Sequence, residues 1–271
     1  MTMMGMSRAS LAELEERFNG IAGSADLTEL ADGLFAVVSL LDREHRLRRT
    51  FTDLSATAER KAATVRTLLS GRVSEAVLET VVAAVGAKWS RAGDLPDALE
   101  RFGVIAALAQ AEAQGQLDDV EDELFRFGRV VDGNPNLRRA LADAAAPVEA
   151  RLALVDQLLS GKTAPATLQL VRQLVAHPRG RSLDRGLEEF GRLAALQRRR
   201  LVAVVRTAVP LTDGQKQRLT AWLRASYGHD VHLNVDLDPQ VLGGFSVRVG
   251  DEIIDTTVAG RLEEVRRRLA G

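Results

Sequence analysis

Residues 34–85 reappear 90 positions later. Laid without a gap on residues 124–175, they share 19 identities in 52 pairs, where chance would give roughly four or five. Leu34-Phe35 returns as Leu124-Phe125, Leu47-Arg48-Arg49 as Leu137-Arg138-Arg139, and Leu68-Leu69-Ser70-Gly71 as Leu158-Leu159-Ser160-Gly161. The pattern resumes at a shift of 88, where LPDALERFGVIAAL from Leu95 matches LDRGLEEFGRLAAL from Leu183. Whatever one copy builds, the other builds too. Most of the chain is therefore two versions of one supersecondary unit.

That unit reads as short amphipathic helices. In the second copy, apolar side chains fall at 117, 120, 124, 127, 130 and 131, and Asp132-Gly133-Asn134-Pro135 stops the run. Leu137 and Leu141 mark a short helix before Pro147. Residues 148–159 form another, with Gly161 in its C-cap region. Pro165 suits a first turn, and Leu168, Val171, Leu174 and Val175 follow before His177-Pro178. Residues 183–196 make the last helix. The first copy opens with Leu11, Leu14 and Phe18, then a break at 20–24. Helices this short are marginal alone, so they must pack as a bundle. One long helix from Leu95 to about Gln114 is expected to end copy one and begin copy two, because no Gly/Ser/Pro-rich linker separates them.

Beyond residue 200 the period changes from helical to alternating. Residues 201–209 read as a strand, and Leu219, Trp222 and Leu223 as a helix over the sheet. Val231, Leu233, Val235 and Leu237 alternate with polar neighbours, as a strand with one buried face does. Gly243-Gly244 breaks it, and Phe245, Val247 and Val249 alternate again. Gly250-Asp251 is a turn signal before Ile253-Ile254-Asp255. From Val258, the residues Leu262, Val265 and Leu269 return to helical spacing. The fold class is mainly α: two tandem helical-bundle copies followed by a small C-terminal α/β domain. The expected divisions are 1–105, 106–197 and 198–271.

Composition narrows the function. With 36 basic and 37 acidic side chains, no net field recruits nucleic acid or an acidic membrane. Cysteine is absent, which excludes disulfides and thiolate metal sites and suits a reducing compartment. No apolar run approaches the roughly 20 residues that span a bilayer. The N-terminal MTMMGMSRASLAELEERF lacks the apolar stretch of a signal peptide. A soluble cytoplasmic protein is expected, whose membrane association comes through a partner and not by direct insertion.

Motifs for chemistry are weak. Ser160-Gly161-Lys162-Thr163 ends like a phosphate-binding loop, but Asp156 stands where that motif needs glycine and a helix precedes it in place of a strand. A helix C-cap explains it better. His229 and His232 fit neither face of a regular strand as metal ligands. The nucleophile elbow G-x-S-x-G is absent. Paired carboxylates such as Asp118-Asp119 and Glu188-Glu189 suit helix starts or solvated faces. The triplets at 198–200 and 266–268 read as solvated helix ends or as docking points for an acidic protein. No catalytic residue, cofactor or metal is expected.

The run D-P-x-V-L-G-G from Asp238, V-G-D-E-I-I-D from Val249 and Arg261-Leu262, in this order, resembles the C-terminal signature of the delta subunit of bacterial F-type ATP synthase. Its mitochondrial counterpart is the oligomycin-sensitivity-conferring protein. The stretch AALAQAEAQGQLDDVEDELFRFGRVVDGNPNLRRAL from Ala106 is similar to the family's first two helices and the turn into the third. The preceding 100 or so residues are an additional copy, as in the longer actinobacterial forms. The resemblance implies a non-catalytic peripheral-stalk subunit, present once per synthase complex, on the cytoplasmic face of the cell membrane. It would tie the catalytic head to the membrane-anchored b subunits against rotational torque. In the family, the N-terminal helix of an alpha subunit lies in a groove between the first and fifth helices, which map here to about 104–114 and 165–176. Ile105, Leu108, Leu168, Val171 and Val175 are the candidate contacts, each with a role in the bundle core as its alternative. The C-terminal domain would receive the C-terminal end of a b subunit. A generic helical-repeat adaptor is the alternative of another class, but it gives no reason for the C-terminal string.

Overall fold

In a computed structural model, residues 5–198, 201–227, 231–238, 241, 244–249 and 252–255 are described. The helix expected from Val258, Gly243, the turn at Gly250-Asp251, His229 and the arginines at 199, 200 and 266–268 lie outside them. The chain divides into two compact units, residues 1–197 and 198–271.

The first unit is all helical. Its elements are α1 (Gly5–Ala22), α2 (Leu27–Arg43), α3 (His45–Thr52), α4 (Ala58–Leu69), α5 (Glu75–Gly86), α6 (Asp94–Ala113), α7 (Leu117–Asp132), α8 (Pro135–Ala142), α9 (Val148–Leu159), α10 (Pro165–Ala176) and α11 (Leu183–Arg198). Shifting α3, α4 and α5 by 90 positions lands on α8, α9 and α10 at both ends. Shifted by the same amount, α1 falls within α6, and α6 shifted by 88 overlies α11. One continuous helix thus closes the first copy and opens the second, and the expected division at residue 105 lies inside it. α1 runs through Gly20 to Ala22, so the break expected at 20–24 begins at residue 23.

Local chemistry sets the helix ends. The Asp26 carboxylate accepts from the Thr28 and Glu29 amides at 2.9 and 3.0 Å and caps α2. Asn134 holds the equivalent place before α8, with Pro135 in the first turn. α4 and α9 both end on a glycine in left-handed backbone, Gly71 at φ 72° and Gly161 at φ 70°. Lys162 Nζ reaches back to the carbonyls of Gln157 and Leu158 at 3.1 and 3.2 Å. The lysine that suggested a phosphate loop therefore covers the open carbonyls of a helix C-terminus.

The core is one continuous apolar cluster with α6 through its middle. Leu95, Leu99, Phe102, Val104 and Leu108 are almost wholly buried, and the Phe102 ring stacks on Phe18 of α1 at 4.7 Å. Two glycines let helices approach closely. A Cβ on Gly103 would meet the Phe35 ring at 2.7 Å, and one on Gly33 would meet Val77 at 2.5 Å.

The seam between the copies is polar as well as apolar. On one edge of α10, Gln169, Gln173 and His177 recur every four residues and face three acids of the first copy. Gln169 Nε2 donates to Asp32 Oδ1 at 2.6 Å, and Gln173 Nε2 to Glu100 Oε1 at 3.2 Å. His177 Nδ1 lies 3.6 Å from Asp42 Oδ2. Glu100, only 2% exposed, also pairs with Arg179 and Arg181 of the α10–α11 connection. Burying a carboxylate is costly unless it is paired and hydrogen-bonded.

The second unit contains β1 (Leu201–Thr207), α12 (Asp213–Tyr227), β2 (Val231–Leu237), β3 (Phe245–Val249) and β4 (Glu252–Asp255). The sheet order is β2-β1-β3-β4. β1 and β2 run parallel with α12 as the crossover, while β3 and β4 add antiparallel. Leu219 and Leu223, one helical turn apart, pack on Ala203, Val205, Val231 and Val247. Trp222 is 48% exposed and Leu237 54% exposed. The helix face over the sheet is narrower than expected, and β2 leaves the core at its last residue. The mainly α architecture with a small C-terminal α/β region agrees with the sequence reading.

Candidate partner-binding groove

α9 and α10 form an antiparallel hairpin because only five residues, 160–164, join them. Glu123 of α7 fastens the start of α10. Its carboxylate accepts from the Ala164 amide at 2.9 Å and from Thr167 Oγ1 at 2.6 Å. A carboxylate at this helix end satisfies an amide that the helix itself leaves open, and it complements the helix dipole. Arg172 pairs with Asp156 across the hairpin, and Arg151 Nη1 donates to the Val175 carbonyl at 2.7 Å.

Beside this hairpin lies an apolar groove of about 380 Å³, lined by Phe35, Leu152, Pro165, Leu168, Arg172 and Ala176 among others. Leu168 is the one candidate contact that opens onto it. Ile105, Leu108, Val171 and Val175 are 7%, 0%, 0% and 2% exposed and belong to the helical core. The family resemblance placed them on α6 and α10, and apolar spacing alone cannot say which side of a helix another helix covers. Ile105 and Leu108 sit on α6, which is buried almost throughout because it serves both copies. Phe35 and Leu152 are groove residues that the sequence reading did not name. Phe35 comes from the first copy, and no signal within the second copy points to it. Leu152 could have been found as the residue of α9 facing the α10 stripe at Leu168.

The groove is walled mainly by the apolar side chains of Phe35, Leu152, Pro165, Leu168 and Ala176, and Gln169, Arg172 and Gln173 supply its polar lining. Among the described residues, no group of three or more His, Cys, Asp or Glu side chains could hold a metal ion. Among those residues no helix is long and apolar enough to cross a membrane.

The family model for the ATP synthase delta (OSCP) subunit matches residues 104–269, more than half of the chain. The chain belongs to the ATP synthase delta subunit family. The match begins inside α6, so α1 to α5 lie outside it. Relatives continue through that part. ATP synthase subunit delta of Thermobifida fusca is 49% identical over 99% of this chain and 100% of its own length. That of Streptomyces avermitilis is 50% identical over 100% of both. A chain of the Toxoplasma gondii mitochondrial ATP synthase hexamer aligns with 62% of this chain and 96% of its own, at 20% identity and a TM-score of 0.29. The delta family is a structural component of the ATP synthase peripheral stalk, and this chain is one of its long members with a second helical copy.

Proposed function

We propose that this delta subunit holds the catalytic head of the synthase to the membrane-anchored stalk by binding alone, with no active site of its own. The second helical copy, residues 106–197, takes the N-terminal helix of an alpha subunit in the groove beside α10. The C-terminal unit, residues 198–271, takes the C-terminal end of a b subunit. The first copy, residues 1–105, braces the second. The carrying observation is the apolar groove at Leu168, on a helix anchored by Glu123, within the stretch that matches the family. An amphipathic helix is held in such a groove by a few apolar anchors.

Stiffness suits a torque-bearing role. α6 passes from one copy to the other without a break, and Glu100 ties it to Arg179 and Arg181. Titration calorimetry of the intact chain with an alpha N-terminal peptide tests the groove. Leu168→Asp is expected to weaken binding at least tenfold with the helical fold retained. Unchanged affinity would move the alpha helix to another surface. Proton pumping driven by ATP in membrane vesicles tests the stalk role, and the same substitution is expected to reduce it.

A further inference from the structure

The duplication carries an inference about a second surface, one that stands whether or not an alpha helix fills the groove at Leu168. On the first copy, the face made by α2 and α6 is covered by α10. Three acids mark it: Asp32, Glu100 and Asp42, each facing one residue of the Gln169, Gln173, His177 stripe. Phe35 lies at its centre over Gly103. On the second copy the equivalent face is made by α7 and α11, which meet where Leu187 approaches Gly128 at 3.8 Å from an added Cβ. All three acids recur there as Asp122, Glu188 and Asp132 by the shifts of 90 and 88. Phe35 recurs as Phe125, and Gly103 as Gly191.

Among the described residues of the helical unit, nothing covers this face. Phe35 is 8% exposed, whereas Phe125 is 66% exposed. A Cβ on Gly191 would have nothing within 4 Å, where one on Gly103 would strike a ring. Leu108 is wholly buried, and its counterpart Leu196 is 52% exposed. In a stack of repeats, each unit buries a face against the next, and the terminal unit leaves that face open or capped. An open terminal face in such a series normally turns polar. This one keeps its central phenylalanine, its close-approach glycine and its three acids. Arg126 stands where the first copy has Ala36 and pairs with Asp122 across one turn in solvent. An exposed pair of this kind is worth little and exchanges readily.

We infer that the α7–α11 face of the second copy receives one amphipathic helix from another chain of the synthase. That helix presents amide or basic side chains at i, i+4 and i+8 to Asp122, Glu188 and Asp132. Its apolar residues cover Phe125 and Leu196. Arg129 and Arg192, in the places of Ser39 and Val104, call for an acid on the same helix.

The natural chain has no cysteine, so single reporters are clean. Phe125→Cys and Leu196→Cys are labelled with a maleimide in the free chain and in the reconstituted synthase. Fast labelling in the free chain and at least tenfold slower labelling in the synthase are expected. A benzophenone attached at position 125 is expected to cross-link to a helical segment of another subunit with donors spaced by four. Adding Asp122→Lys, Asp132→Lys and Glu188→Lys should return the labelling in the synthase toward the free-chain rate, with unchanged circular dichroism. Equal rates in the free chain and the synthase overturn the inference. So do protection already present in the free chain, and cross-links to residues 198–271 or to a second copy of this chain.

Discussion

Glu123 and Thr167 meet side chain to side chain at 2.6 Å, in the place where the first copy brings Gly33 against Val77. Two versions of one bundle have solved the same helix contact differently. In the first copy, loss of a side chain lets α2 approach α5. In the second, a carboxylate spans the gap and caps α10 through the Ala164 amide.

Glu123→Ala is expected to destabilise the helical unit by about 1–3 kcal/mol, since it leaves the Thr167 hydroxyl, buried at 0% exposure, without its acceptor. Urea denaturation followed by circular dichroism measures it. An unchanged midpoint would show that the contact contributes nothing.

Leu108→Asp and Val171→Asp are expected to unfold or severely destabilise the chain, because both side chains are fully buried and an unpaired carboxylate there is uncompensated. Leu168→Asp, at a half-buried position packed against the core, should lower the melting temperature far less and reduce affinity for the alpha peptide. Thermal melts beside titration calorimetry separate the two effects. If Leu108→Asp folded normally and lost only binding, the core placement would be wrong.

Gly103→Ala and Gly191→Ala should differ in sign. The first forces a methyl group against the Phe35 ring and is expected to cost about 1–3 kcal/mol. The second enters open space on a helix and should gain up to about 1 kcal/mol from helix propensity in the isolated chain. Equal effects in chemical denaturation would contradict the different packing of the two faces.

Burial, the largest influence on His177, lowers its pKa below the ordinary 6.5 and outweighs the attraction of Asp42. The unfolded chain then binds the proton more readily than the folded one. The helical unit should be most stable above pH 6.5 and lose stability as pH falls through that value. His177→Gln should flatten this dependence between about pH 7.5 and 5.5, a range set by the ordinary histidine titration. Urea midpoints across the range check it, and an equal slope in both proteins would remove His177 as the cause.

A chain ending at Gln197 is expected to keep a cooperative helical unfolding transition, since residues 1–197 form one compact unit. The same truncation should abolish coupling of ATP hydrolysis to proton pumping when it replaces the full chain. Loss of helicity on truncation would show that the two units fold only together.

The repeat, most of the helix boundaries in the second copy and the change of period near residue 200 were legible in the sequence. Capping residues, glycine stops and apolar spacing are local, and the chain states them residue by residue. The ends of α9 and α10 came out as read because Gly161 and Pro165 act within a turn of themselves. The long α6 was legible too, from the missing linker. What tertiary structure alone decided is which face of each helix another helix covers. Leu168 and Val171 look alike in sequence, yet one lines a groove and the other is fully buried. Phe35 and Phe125 occupy the same place in the repeat, yet one is covered by α10 and the other faces solvent. Periodicity marks an apolar stripe, but burial depends on neighbours distant in the chain, and the second copy has no third copy to cover it.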